Sequence, residues 1–514
     1  MISFLDRWFL TILVLVPALG AGAVLLVRGM RAVWWTALGI ALSTFVLSLL
    51  LLVPFRWSKG TEYGYGPGGT VRMVLAAEWV APVHAEYRVA VDGLSYPFLV
   101  LTTFLTSIAI LSAARAESSR RPYVMMLLFE CTVLGTFVAF DLLLFFLFTA
   151  FMLLPATWLA GRGATADQRS PAPKLFAYLL VGLVCLLVMM LGEYAVSRQA
   201  LGGTFDLVQL ASAPMHRQLM TPQLASASRT LFALAIVAFL IRLPVVPLHS
   251  WFVELVGNER SVHSLLLLSL IPTTGVYGLL RVACPLFPGA GASLGMAFAV
   301  LAVISILYSG CCALGQEDLW RAIAYAGISM IGFALLGAIV MNPTGGAAAV
   351  YVSLFTALAL AMLLLLTRAL VARMEIGDGW RAADVLEGAP LLSALWTLAW
   401  FAWLVTPGLL GQALVILSIV QPSGGIRSSH AYAIAIAASL GVLITGAYVI
   451  ATARRMFFAG SRPSASVPDD LRPREMPGIA LVAAVLIALG VIPGVLCFSF
   501  IHPALDALFR SLLF

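Results

Sequence analysis

The sequence predicts an all-α integral membrane protein with about fourteen transmembrane helices. Hydrophobic residues make up 62% of the 514 residues and charged residues 10%, whereas soluble domains carry about 25% charged residues. Apolar runs long enough to cross a bilayer of about 30 Å recur along the whole chain. The runs are continuous, which is typical of helices and excludes a barrel of short alternating strands.

The predicted helices are numbered in chain order. The first follows only Arg7 and leads directly into the second without a convincing cleavage site, so it is expected to be retained and not to be a secretory signal. The fourteen runs cover residues 9–28, 33–54, 93–113, 122–140, 142–160, 175–197, 228–248, 261–283, 291–313, 319–341, 346–372, 390–420, 430–453 and 477–499.

Two of these helices are interrupted by proline. Helix 7 contains Arg242 followed by Pro244 and Pro247, and helix 12 is broken around Pro407 and Gly408. The two breaks stand five helices apart, as expected for two inverted five-helix repeats with a polar site near the middle of the bilayer. The predicted organisation is helices 1–2 with an external loop (1–90), helix 3 (91–121), a first repeat of helices 4–8 (122–285), a second repeat of helices 9–13 (286–456), and a final loop and helix 14 (457–514).

The distribution of basic residues predicts the orientation. Lys and Arg are about twice as frequent in odd-numbered loops as in even-numbered loops, which places the odd loops in the cytoplasm and both termini on the other side of the cell (inner) membrane. The net charge of +7 is then explained by topology and does not imply a nucleic-acid partner. The six cysteines lie in or beside apolar runs without metal or haem spacing, so no metal site is expected.

The candidate functional residues are polar groups inside these helices. Arg242 is the first, because an arginine in the bilayer costs several kcal/mol unless it faces protein or water. Glu130 lies halfway along helix 4, where proton handling and a hydrogen-bonded structural role are both open. His249 and His263 follow the break, and an imidazole has an unperturbed pKa near neutrality. Asp92, at the edge of helix 3, fits a helix cap.

Several stretches resemble motifs of the antiporter-like subunits of respiratory complex I, a family that extends to Mrp-type antiporters and membrane-bound hydrogenases. The similarity is greatest to the M-type subunits and runs from about residue 87 to the C-terminus. It is carried by VDGLSYPF at 91–98, LPVVPLHSWF at 243–252 with VYGLLR at 276–281, QEDLWRAIAYAGISMIGFALLG at 316–337, GAYVIATARRMFF at 446–458, and a last helix beginning DLRPREMPG.

The resemblance implies a proton path made of a glutamate in helix 5, lysines in helices 7 and 8, and a glutamate or lysine in helix 12. This sequence has Ala150, Arg242, Thr273 and Gln412 at those positions, and Thr356 where a histidine is expected in helix 11. Only Arg242 keeps a charge, and arginine is a poor proton carrier because it stays protonated at any accessible pH. A general replacement of lysine by arginine would explain Arg242 but not Ala150 or Thr273.

The resemblance therefore implies a membrane-arm subunit of a proton-translocating NADH:quinone oxidoreductase, with a proton path that is degraded. A softer interpretation is a path rerouted through Glu130, His249 and His263 with ordered water, although His249 fits a structural role as well. Two other functions remain open: a subunit of an Mrp-type cation/proton antiporter or ion-coupled uptake complex, and a non-pumping structural subunit. Loss of titratable groups at the midplane counts against the antiporter.

No flavin, iron–sulfur or quinone motif occurs in the sequence, so no redox chemistry and no catalytic residue are expected on this chain. NADH, FMN, iron–sulfur clusters and quinone would belong to partner subunits. The expected partners are the other membrane subunits of a complex I-like assembly and the lipid bilayer.

Overall fold

The computed structural model of the chain describes residues 2–52, 71–113, 119–162, 170–258, 262–374, 388–405, 407–421, 426, 428–457, 470–492 and 501–510. These residues contain 12 helices that are long and apolar enough to cross a membrane, together with shorter apolar helices. The predicted class of membrane protein is therefore confirmed. The long helices are α1 (Ile2–Leu26), α2 (Met30–Leu50), α3 (Ser95–Ser112), α4 (Arg121–Val138), α5 (Leu142–Ala160), α6 (Ala172–Leu201), α7a (Ala225–Arg242), α8 (His263–Leu286), α9 (Pro288–Gly315), α10 (Leu319–Val340), α11 (Pro343–Val371) and α13 (Ser428–Phe457).

The remaining apolar helices complete the predicted set. Helix 7 continues after its break as α7b (Ser250–Asn258). Helix 12 consists of α12a (Pro390–Phe401) and α12b (Gly408–Val420), and α14 (Met476–Val491) corresponds to the last predicted helix. Three short helices lie outside the predicted spans, at Leu207–Leu210, Ala213–Leu219 and His502–Arg510.

The centre of the bundle is formed by helices that are apolar on all sides. The membrane windows of α8 and α11 are 100% buried and that of α10 is 94% buried, whereas those of α6 and α13 are 33% and 39% buried. A helix that is hydrophobic all round is expected to be enclosed by others or to face lipid. The more exposed helices therefore present apolar side chains to the membrane and surround the central ones.

Both predicted breaks are present. In α7 the chain leaves the helix between Arg242 and Ser250, where Pro244 and Pro247 remove backbone donors. In α12 the helix stops at Phe401 and resumes at Gly408, and a Cβ added to Gly408 would lie 2.5 Å from the carbonyl oxygen of Trp403. Thr406, which belongs to the same break, lies outside the described residues. The inverted relation between the two five-helix units stays a prediction.

The connection between helices 2 and 3 differs from the expected all-helical structure. It contains an antiparallel hairpin of β1 (Arg72–Val80) and β2 (Ala85–Val91), with His84 at φ 49° in the turn. The hairpin lies against the turn between α4 and α5, since the amide of Phe140 donates to the carbonyl of Arg88 at 3.0 Å. The predicted helical fold class stands, and the hairpin is an addition in the predicted external loop, where strand pairing and contact with the helix ends order this part of the chain.

Candidate ion-path site

The break in α7 is held by hydrogen bonds from several directions. The indole N–H of Trp251 donates to the carbonyl of Ile241 at 2.9 Å, which satisfies one of the acceptors that the break leaves without a helical donor. The amide of Val246 donates to the hydroxyl of Ser305 in α9 at 3.3 Å. The break is therefore a built feature of the fold, with its backbone groups used by specific partners.

Arg242 is the last residue of α7a and is 2% exposed. Its guanidinium lies 5.7 Å from the ring centroid of Phe239, and its Nη1 has no hydrogen-bond partner in the part of the chain that the structure describes. A Cβ added to Gly275 in α8 would lie 3.3 Å from the Cβ of Arg242. Gly275 thus allows α8 to approach the charged end of α7a closely, but this contact brings no counter-charge.

The family positions in helices 5 and 8 supply no titratable group to Arg242. Ala150 has only a methyl side chain, and the neighbouring Thr149 is buried with a hydroxyl that lacks a partner among the described residues. Thr273 lies two residues before Gly275, and its hydroxyl donates to the carbonyl of Leu270 in its own helix at 2.7 Å. Helices α7a and α8 are in close contact at Gly275, and the side chains of Ala150 and Thr273 carry no titratable group.

Glu130 is fully buried in α4, and neither carboxyl oxygen has a hydrogen-bond partner within the described residues. Seven residues further along α4, the carbonyl of Phe137 accepts from the hydroxyl of Tyr277 in α8 at 2.8 Å. Two helical turns correspond to about 10 Å, so Glu130 lies that far along α4 from this contact. Within the described structure, Glu130 and Arg242 form no ion pair or hydrogen bond.

The two histidines belong to different parts of the bundle. His249 is part of the α7 break, and its ring centroid is 5.8 Å from that of Tyr308 in α9 and 6.1 Å from that of Tyr325 in α10. His263 is 2% exposed at the first residue of α8, twelve residues before Gly275, which corresponds to about 18 Å along the helix. His249 therefore contacts α9 and α10, and His263 lies at the start of α8.

Gln412, the residue that the resemblance places on the proton path in helix 12, lies in α12b and is 1% exposed. Its amide nitrogen donates to the sulfur of Met330 at 3.3 Å and to the carbonyl of Trp403 at 3.4 Å. The ring of Trp403 lies 5.7 Å from that of Trp400, and Tyr448 contacts both rings edge-on. The second break is therefore lined by aromatic rings and a neutral amide. An amide of this kind does not carry protons at neutral pH.

A buried ion pair connects two of the motifs that were recognised separately in the sequence. Arg281 donates to the carboxylate of Asp92 at 2.6 Å, with both side chains nearly inaccessible, and its guanidinium lies 4.5 Å from the ring of Phe140. Asp92 also accepts from the amides of Leu94 and Ser95 at the start of α3. Asp92 thus bonds the first amides of α3 from a position two residues before the N-cap, Leu94, and the ion pair with α8 is an addition that the sequence did not indicate.

Two further sets of acidic residues were missed. Glu193 in α6 is fully buried, and both of its carboxyl oxygens lack a partner among the described residues. The available signal was a single acid in the apolar run LLVMMLGEYAV.

The second set of acidic residues lies at the end of the bundle. Arg88 of β2 lies 3.1 Å from Asp206, and Asp206 forms a backbone bridge with Asp141.

Asp141 lies in the turn before α5, outside the membrane segments, and is 1% exposed. Burial raises the pKa of this carboxyl to about 6, although three backbone N–H donors act in the opposite direction, and nearby Asp206 adds to the increase. Since the folded pKa lies above the ordinary 3.8, the protonated form favours folding. The contribution of Asp141, about 3 kcal/mol, is complete below pH ~4 and is lost as the pH rises through about 6.

Asp141→Asn is therefore expected to remove part of the pH dependence of stability. The thermal midpoint of the parent chain in detergent should fall more between pH 5 and pH 7 than that of the variant, because asparagine cannot ionise but can still accept from the amides of α5. Asp318→Asn, at an exposed aspartate that caps α10, is the matched control. An equal response of Asp141→Asn and the parent would contradict the assignment.

Comparisons with known proteins place this architecture in context. Residues 139–445 match the family model described as NADH:quinone oxidoreductase/Mrp antiporter, TM. The chain is 30% identical to NADH-quinone oxidoreductase subunit M of Rhodobacter capsulatus, over 94% of this chain and 93% of the relative. It is 27% identical to NAD(P)H-quinone oxidoreductase chain 4 1 of Nostoc sp., over 96% and 90% of the two chains.

The fold is similar to that of a chain in respiratory complex I from Thermus thermophilus with bound NADH. The TM-score is 0.80 at 25% sequence identity, and the match covers 98% of this chain and 99% of that chain. The similarity to M-type subunits expected from the motifs is confirmed. The chain belongs to the NADH:quinone oxidoreductase/Mrp antiporter transmembrane family.

Proposed function

We propose that the chain is a membrane-arm subunit of a proton-translocating NADH:quinone oxidoreductase in which this subunit's own proton path is degraded. The relatives named subunit M and chain 4 belong to quinone oxidoreductases and match this chain over nearly its full length. The structural match to complex I covers both chains almost completely. These similarities support a place among the other membrane subunits of such an assembly.

The main observation in support of a degraded proton path is the environment of Arg242. This guanidinium is buried without a carboxylate partner in the described structure, and the Cβ of its residue lies against Gly275 on α8. The helix 5 position is Ala150, the helix 8 hydroxyl of Thr273 bonds within its own helix, and the helix 12 position is the amide of Gln412. Proton transfer needs groups that change protonation near the working pH. These four positions do not provide one.

The separation of the remaining candidates does not favour the rerouted path. Glu130 lies about 10 Å along α4 from the Phe137–Tyr277 contact, and His263 lies about 18 Å along α8 from Gly275. His249 is closest to two tyrosines of α9 and α10. A hydrogen-bonded relay requires neighbours within about 3 Å or one intervening water, and neither carboxyl oxygen of Glu130 has a direct hydrogen-bond partner among the described residues.

The redox groups are assigned to other subunits. In this proposal NADH, FMN, iron–sulfur clusters and quinone bind partner chains, and this chain contributes position and contact within the membrane arm. The excess of basic residues in odd-numbered loops supports an orientation with those loops in the cytoplasm and both termini on the opposite side of the inner membrane.

The test is the number of protons moved per electron pair by the purified assembly in sealed vesicles. The parent assembly is compared with one in which Ala150→Glu, Thr273→Lys and Gln412→Glu restore the family's titratable groups. We expect the parent assembly to move fewer protons per electron pair than the assembly with restored acidic and lysine residues, because the parent lacks groups that exchange protons near the middle of the bilayer. If the parent assembly and the restored assembly move the same number of protons per electron pair, the proposal of a degraded path is wrong.

A second measurement separates the alternative functions. Cation uptake driven by a proton gradient, measured in vesicles without NADH or quinone, would support an Mrp-type antiporter. Co-purification with quinone-reducing subunits, without such uptake, would support the membrane-arm role. The family model spans both classes of protein, so the purified partners decide between them.

A further inference from the structure

A cavity of about 460 Å³ opens at one edge of the membrane region, between α2, α3, α11 and the start of α14. Part of its wall is apolar and is formed by Leu111, Leu365 and Ile479. Arg368 and Arg474 also line the cavity. The cavity therefore combines an apolar wall, which can contact lipid acyl chains, with two arginines.

The one acid among the described residues that line this cavity, Glu475, is already paired. Its carboxylate accepts from Arg373 at 2.7 Å. Arg474 is exposed and makes no ion pair or hydrogen bond with any other residue that the structure describes. The cavity can thus receive an anion at Arg474 without displacing an existing salt bridge.

Two tryptophans locate the cavity at the depth of the lipid headgroups. The indole N–H of Trp34 donates to the carbonyl of Ile110 at 2.9 Å, and the ring of the adjacent Trp35 is 4.5 Å away. Trp35 is 56% exposed and lines the cavity. Tryptophan is enriched where membrane meets water, because its ring is apolar and its N–H is polar. An exposed Trp35 beside two arginines fits this boundary.

We infer that this cavity binds the phosphate of an anionic phospholipid, with Arg368 and Arg474 at the phosphate and the acyl chains along Leu111, Leu365 and Ile479. Arginine forms strong, charge-assisted bonds with phosphate oxygens, and basic pockets between transmembrane helices bind anionic headgroups. The apolar wall and Trp35 favour a lipid over free phosphate, which would leave that surface uncovered. This inference is independent of the proposed role in proton transfer.

The test measures lipid binding to the purified full-length chain by native mass spectrometry. Phosphatidylglycerol and phosphatidylcholine with the same acyl chains are compared in otherwise identical detergent. We expect phosphatidylglycerol to bind more tightly than phosphatidylcholine. Each of Arg474→Gln and Arg368→Gln should weaken phosphatidylglycerol binding about fivefold, because one basic residue near an anionic membrane surface contributes about 1 kcal/mol of attraction. Arg454→Gln, at an exposed arginine at the end of α13, is the matched control and should leave binding unchanged.

Three outcomes would overturn the inference: equal binding of the two lipids, equal weakening by Arg454→Gln, or full displacement of phosphatidylglycerol by inorganic phosphate at equal concentration. The last result would mean that the anion alone is recognised. Arg474 lies on the surface, so Arg474→Gln is expected to fold normally, and its thermal midpoint without added lipid verifies this. If Arg368→Gln does not fold, the comparison of Arg474→Gln with Arg454→Gln still decides the question.

Discussion

Asp92→Asn is expected to lower the free energy of unfolding by about 3 to 5 kcal/mol, because it leaves the buried guanidinium of Arg281 without its counter-charge. Asparagine can still accept from the amides of Leu94 and Ser95, so the cap of α3 is retained and the change isolates the ion pair. Chemical denaturation of the purified chain in mild detergent, followed by loss of helical signal, measures the difference.

The control for this change is an exposed ion pair. Arg321 and Asp318 lie 3.8 Å apart with side chains 60% and 48% exposed, and Arg321→Gln is expected to cost less than about 1 kcal/mol. The double variant Asp92→Asn with Arg281→Met should regain part of the lost stability, since neither charge remains. If Asp92→Asn were as mild as Arg321→Gln, the Asp92–Arg281 pair would not be a main support of the bundle.

Arg242→Met is expected to raise stability by about 2 to 3 kcal/mol, because a charge inside the membrane without a partner is unfavourable and methionine fills a similar volume. Under the degraded-path proposal, the same variant leaves the protons moved per electron pair unchanged in the assembled complex. The measurements are the thermal midpoint of the purified chain and proton uptake by vesicles during NADH oxidation.

Arg229→Met makes the same chemical change at an exposed position of α7a and should alter neither quantity. A stability gain at Arg242 accompanied by a lower proton ratio would contradict the proposal. It would show that the guanidinium is kept at the expense of stability because it takes part in transport. Loss of stability in Arg242→Met would instead reveal favourable interactions that the described contacts do not contain.

Much of the fold could be predicted because its signals are local. Long apolar runs predict membrane helices without knowledge of their neighbours, and Pro244, Pro247 and Pro407 indicate breaks because each removes a backbone donor where it stands. The β-hairpin was missed because strand pairing joins residues across a turn. Its sequence begins beside a glycine-rich stretch that favours irregular structure. The register of a strand depends on the strand with which it pairs, so it cannot be predicted from one segment alone.

The sequence names candidate residues for the site, which stay predictions, but it does not give their contacts. The replacement of a titratable group by Ala150 or Thr273 is visible in the sequence once the family motifs are aligned. The ion pair of Asp92 with Arg281 joins residues 189 positions apart, and no spacing rule connects them. Glu193 carries no motif, and its isolation from hydrogen-bond partners depends on how α6 packs against its neighbours.

The break in α7 is in direct contact with α9 and α10. Its backbone is bonded to Ser305 in α9, and His249 rests against Tyr308 and Tyr325 in α9 and α10. Neighbouring groups in such contact do not contribute independent free energies. The conformation of the loop beside Arg242 is therefore a joint property of α7, α9 and α10, and a change in one of these helices is felt by the other two.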